Sequence, residues 1–136
     1  MQSWILPTTL ALACFGLWAF LPKLTVRYLD PKSALVFGTL GAVLVSVVVL
    51  AQMGFRAQAE PRGIVLAVLT AIFGFAGTLA YLYAAQRGPV ALIATVTALY
   101  PVIAILLAVL VLNEPITLRQ GLGMVLALVA IVLIGG

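Results

Sequence analysis

Read for its hydrophobic and polar positions, the chain alternates between long apolar stretches and short polar connections. The stretches Trp4–Leu21, Ala34–Met53, Ile64–Ala85, Val90–Leu112 and Leu118–Ile134 are each close to the ~20 residues a helix needs to cross a hydrocarbon layer ~30 Å thick. Lipid offers no partner to backbone N–H and C=O groups, so a span is a helix or part of a closed barrel. The runs are continuous and lack two-residue alternation, which excludes a barrel. The pattern predicts an all-α integral membrane protein with five transmembrane helices in one domain over residues 1–136. An odd number of spans puts the two ends of the chain on opposite sides.

The connections carry helix-boundary chemistry. In Asp30-Pro31-Lys32-Ser33 a carboxylate precedes a proline, which suits a cap followed by a first helical position that has no use for an N–H. The second helix is therefore expected to start near Pro31. Glu60-Pro61-Arg62-Gly63 repeats the pattern for the third helix, and Gln86-Arg87-Gly88-Pro89 stops that helix at a glycine and starts the next at a proline. Asn113-Glu114-Pro115 ends the fourth helix. Thr117 and Gln120 stand at capping-box spacing for the fifth, with Glu114 as a further structural cap. Connections this short make successive helices antiparallel.

Within the spans, the few hydroxyl and small residues recur at helical spacing. Thr70, Gly74, Thr78 and Tyr81 share one face of the third helix, and Thr39, Ala42 and Ser46 share one of the second. Such faces turn inward, either to pack helix on helix or to line a cavity. Thr97 and Tyr100 lie on one face of the fourth helix and are followed by Pro101. Proline removes the N–H that the Thr97 carbonyl would use, so the helix is expected to kink there, as a static packing feature or as a hinge. The fifth helix has no polar side chain after Gln120, which predicts a peripheral position.

Composition narrows the function. The chain is 65% hydrophobic and 7% charged with a mean hydropathy of +1.32, far from globular norms. The net charge of +4 comes from cations scattered over the connections at headgroup level, which gives no basic surface for nucleic acid. Cys14 lies inside the first span and has no second cysteine to pair with. The Thr9–Cys14 segment has a faint likeness to a signal or lipoprotein cleavage site, but no cationic segment precedes it and the apolar run continues to Lys23. It reads as a retained helix. Histidine is absent, and Asp30, Glu60 and Glu114 stand singly at helix ends. No catalytic or metal-ligating constellation results, so neither an enzyme nor a cofactor is expected. A proton-coupled carrier usually keeps a carboxylate at depth. Glu114 comes nearest to that position, and its place beside the last helix favours capping over proton exchange.

In the C-terminal half, Tyr81-Leu82-Tyr83-Ala84-Ala85, Gly88, Ala98-Leu99-Tyr100-Pro101-Val102, Leu112-Asn113-Glu114-Pro115, Thr117, Gln120 and Gly123 resemble the EamA domain of the drug/metabolite transporter superfamily. Gly16-Leu17-Trp18, Lys23 and Pro31 extend the likeness more loosely to the first half. Typical members carry two such domains with opposite orientation around a central substrate cavity. By resemblance this chain is one half of that inverted-repeat fold, with Tyr100-Pro101 beside the cavity. One departure is that many members have an arginine early in the second helix, where this chain has Leu35-Val36-Phe37-Gly38-Thr39.

Together these readings predict a multi-pass membrane transporter of small organic metabolites, in a bacterial inner (plasma) membrane, with alternating access. Trp18, Thr39, Ser46, Thr78, Tyr81, Thr97 and Tyr100 are its expected substrate-binding walls and Pro101 its hinge. The alternatives are a small multidrug exporter, against which the first span's lack of an acid argues, and a non-transporting accessory subunit. Lys23, Arg27, Lys32 and Arg87 fall on one side of the membrane, and Arg56, Arg62 and Arg119 on the other. So even a balance sets no strong orientation. Dual insertion and an antiparallel homodimer follow as expectations; a parallel dimer or a hetero-pair with a similar small protein is the alternative.

Overall fold

The computed structural model describes residues 4–113 and 115–135, apart from the side chains at 120, 134 and 135. The regular elements are all helical: α1 (Ile5–Thr25), α2 (Pro31–Gln52), α3 (Pro61–Arg87), α4 (Val90–Thr97), α5 (Tyr100–Leu112) and α6 (Leu118–Gly135). The helices α1, α2 and α3 and the segment Val90–Leu112 are long and apolar enough to cross a membrane, and Gly121–Leu133 forms a shorter apolar helix. The expected fourth helix is therefore two helices in one span. The cause is Pro101, which supplies no N–H to the Thr97 carbonyl. At the break the chain tightens into three-residue bonds, with the Leu99 amide donating to the Val96 carbonyl at 3.1 Å and the Val102 amide to the Leu99 carbonyl at 3.0 Å.

The helix ends follow their local chemistry. Asp30 Oδ1 accepts from the Lys32 and Ser33 amides at 3.0 and 3.1 Å, so α2 begins at Pro31. Glu60 Oε2 accepts from the Gly63 amide at 2.8 Å, and α3 begins at Pro61. Hydrogen bonding from Ser33, its side chain first and then its amide, together with the Lys32 amide, holds the Asp30 carboxyl below its ordinary range. The α2 C-terminus closes through Gly54 at φ +63°. The Gly54 amide reaches the Ala51 carbonyl and the Phe55 amide the Leu50 carbonyl, both at 3.0 Å, which is the Schellman arrangement. Asn113, left-handed at φ 54°, ends α5. The Thr117 carbonyl accepts from the Gly121 amide at 2.9 Å, as an N-cap residue's does. The expected caps at Glu114 and at the Gln120 side chain lie outside the described residues.

The chain divides into two compact units, Met1–Arg87 and Gly88–Gly136. In the first, α3 packs against both α1 and α2; in the second, α4 packs against α6. The buried residues of the first unit are Pro22, Pro31, Ala34, Tyr81, Leu82 and Ala85. They lie at the end where α1 finishes, α2 starts and α3 finishes. Toward the other end the large apolar side chains, Leu6, Leu10, Val47 and Leu66 among them, are exposed. In a spanning helix such surface faces lipid or another protein.

Candidate functional site

A groove of about 680 Å³ runs among the three helices of the first unit. Trp18, Leu21, Pro22 and Thr25 of α1 form one wall; Ala34, Leu35, Gly38, Gly41 and Ala42 of α2 form the other. Ala71, Gly74, Phe75, Thr78 and Leu82 of α3 lie between them. The small residues make the space. A Cβ added at Gly38, Gly41 or Gly74 would meet nothing within 4 Å, so these positions are open where larger side chains would fill the gap. Gly41 and Gly74 stand near the middle of α2 and α3. The groove thus reaches from the connection at residues 26–30 to about half the depth of the span.

Its lining is apolar, with a few polar atoms. The Thr25 hydroxyl donates to the Leu21 carbonyl at 3.1 Å and the Thr78 hydroxyl to the Gly74 carbonyl at 2.8 Å, which leaves each oxygen able to accept from a ligand. Trp18 adds an indole, and among the described residues no charged side chain lines the groove. Such a site suits a ligand with an apolar or aromatic body and few polar groups.

Trp18 and Thr78, of the expected walls, line the groove together. Tyr81 is 4% exposed and stands behind it: its hydroxyl donates to the Ala19 carbonyl at 2.7 Å, and its ring lies 5.4 Å from that of Trp18, tilted by 45°. The hydroxyls of Thr39 and Ser46 donate to their own helix, to the Val36 carbonyl at 2.6 Å and the Ala42 carbonyl at 2.8 Å. Neither residue lines the groove, whose α2 wall is Ala34, Leu35, Gly38, Gly41 and Ala42; of the expected Thr39–Ala42–Ser46 face, Ala42 belongs to it. In the second unit, the Thr97 hydroxyl donates to the Ile93 carbonyl at 2.8 Å, and Tyr100, exposed, opens α5 beside Pro101.

Sequence reading missed Pro22, Lys23 in its tertiary role, Phe75 and the glycines of α2. The spacing Gly38-Gly41-Ala42, with Ala34 one turn earlier, carried a small-residue signal for a close or open helix face. No sequence signal pairs Lys23 with α3.

The family model for EamA-like transporters matches residues 2–136. The chain belongs to the EamA-like transporter family. An uncharacterized protein of Methanocaldococcus jannaschii is similar to it, 23% identical over 134 residues that cover 98% of this chain and 97% of that protein. No solved structure matches the chain. Membership and the apolar helices make the chain a multi-pass membrane protein of a transporter or permease family of the drug/metabolite type. Among the described residues, no group of three or more His, Cys, Asp and Glu is placed to hold a metal ion.

Proposed function

We propose that this EamA chain is a half-transporter that carries small organic metabolites across a prokaryotic plasma membrane, paired with an inverted copy of itself. The observation that carries the reading is the groove of about 680 Å³, within the ~300–1,000 Å³ range of ligand sites. Its inner end is at mid-depth, where inverted-repeat transporters hold their substrates. An inverted copy supplies the groove with a facing surface and makes the resulting cavity accessible from each side in turn. The relative, matched over 97% of its own length, is likewise about one such domain long. A neutral or zwitterionic substrate with an aromatic or aliphatic body fits a lining with hydroxyls and no charge.

Two measurements test the proposal. The purified protein in detergent is screened by thermal shift against aromatic and aliphatic metabolites, and any binder is taken into counterflow in vesicles containing this protein alone. A ligand at a hundredfold excess over Kd stabilises the folded state by about 2.7 kcal/mol; a screen with no shift, or a binder that is not exchanged, overturns the carrier reading. For orientation, Cys14→Ser protein with single cysteines in the 26–30 or 53–60 connection is labelled in intact cells with an impermeant thiol reagent. Comparable labelling of both connections is expected, and labelling of one alone overturns the antiparallel homodimer.

A further inference from the structure

Behind the groove, at its end nearest the 26–30 connection, two polar contacts join helices distant in sequence. Lys23 Nζ donates to the Ala85 carbonyl at 2.7 Å, across 62 residues, and the Tyr81 hydroxyl to the Ala19 carbonyl at 2.7 Å, again across 62 residues. Each acceptor lies about one helical turn before a proline. The Ala85 carbonyl would receive the amide of residue 89 in a continuing helix, but residue 89 is proline and has no N–H. Ala85 is fully buried, so an acceptor without a donor there would be costly; the Lys23 ammonium supplies the donor. Ala19 follows Trp18, whose carbonyl loses its helical donor to Pro22. At this disturbed turn the Tyr81 hydroxyl adds a donor from the neighbouring helix.

These contacts hold α1 to α3 at the end of the groove facing the 26–30 connection, and the buried residues of the unit cluster around them. We propose that the pair Lys23–Ala85 and Tyr81–Ala19 is a releasable clasp, whose opening separates the ends of α1 and α3 and admits water and ligand to the groove from that side. The inference rests on the reading of the groove as a transport site. Its design suits reversible closure. Each of the two bonds runs from a side chain to a main-chain carbonyl, so α1 can part from α3 without breaking a hydrogen bond within either helix. A lysine ammonium, released, has bulk water and headgroups within reach along its flexible stem, which lowers the cost of the open state.

The experiment uses Cys14→Ser protein in lipid nanodiscs carrying a single reporter, Thr78→Cys inside the groove or Val65→Cys near the start of α3. The rate of modification by a water-soluble maleimide is measured with the clasp intact, with Tyr81→Phe and with Lys23→Met. Loss of one neutral hydrogen bond raises the open population roughly fivefold, so Tyr81→Phe speeds labelling at Thr78→Cys by about that factor, and Lys23→Met by at least as much. Lys23→Arg, which keeps a cationic donor, restores the slow rate toward that of the parent. The rate at Val65→Cys stays constant throughout. Unchanged labelling at Thr78→Cys in both variants overturns the clasp. Faster labelling at both reporters also overturns it, since that outcome reports general loosening. Labelling does not depend on transport, so a clasp that opens as expected in a protein that exchanges no substrate separates failure of the carrier reading from failure of this one.

Discussion

Two spans of this protein are interrupted by proline, and the chain meets the same lesion in different ways. At Pro22 the helix α1 continues to Thr25, and a side chain of another helix donates to the adjoining turn, through Tyr81 and Ala19. At Pro101 the span separates into α4 and α5, the Thr97 hydroxyl bonds back to its own helix, and Tyr100 stands exposed. A proline braced from outside is a joint in a packed wall. One served only by local bonds is a place where two rigid segments can change their angle, which is the property of a hinge.

The strongest way to break this comparison is to remove the brace. Tyr81→Ala deletes a buried ring together with its hydroxyl and is expected to lower unfolding free energy by about 3–5 kcal/mol, whereas Tyr100→Ala at an exposed position costs less than about 0.5 kcal/mol. Equal losses in a denaturant titration would show that both prolines are braced alike. Next in size is the kinetic contrast. Pro101→Ala gives the Thr97 carbonyl a donor, merges α4 with α5 and slows exchange by on the order of tenfold at an unchanged thermal midpoint. Pro22→Ala alters turnover by less than about twofold, because α1 is already continuous there. Vesicle exchange rates for the two variants decide the matter, and indistinguishable rates would remove the hinge.

Smaller effects sharpen the contrast by showing which prolines do nothing of the kind. Pro31 and Pro61 stand at the first helical position behind Asp30 and Glu60, where no N–H is needed. Alanine at either is expected to shift stability by less than about 0.5 kcal/mol in the same titration. The smallest is a pH response. The Asp30 carboxyl is held low by Ser33 and Lys32, so its folded value lies below its unfolded one. Its contribution is then complete above the unfolded value and is lost as pH falls through the folded value. For Asp30→Asn against the parent, the difference in thermal midpoint should stay constant between about pH 8 and 5 and shrink only in stronger acid.

How much of this was legible in the chain depends on the range of the interaction. The caps at Asp30 and Glu60 and the break at Pro101 were readable because each is decided by residues within four positions of one another. The groove was readable only in part. Trp18 and Thr78 line it, as does Ala42 of the expected α2 face, but the hydroxyls at 39 and 46 drew attention from the glycines at 38 and 41, whose role is to be absent volume. The clasp was not readable at all. Pro89 announces a carbonyl without a donor at Ala85, but that Lys23 arrives there, and Tyr81 at Ala19, is set by how α1 meets α3, and no spacing along the chain encodes a contact across 62 residues.

The Lys23 contact also ties the C-terminal end of α3 to α1 while the clasp is shut. With 27 residues, α3 is about 40 Å long at 1.5 Å per residue, against a hydrocarbon thickness of ~30 Å. That surplus has to be absorbed by tilt or by protrusion. With the clasp shut the Ala85 end is tied to α1, so the first turn of α3, Pro61-Arg62-Gly63, is the end left to rise or sink as the bilayer thins or thickens. The protein therefore carries an anchored rim and an adjustable one, and a change of lipid chain length is felt first at the 53–60 connection.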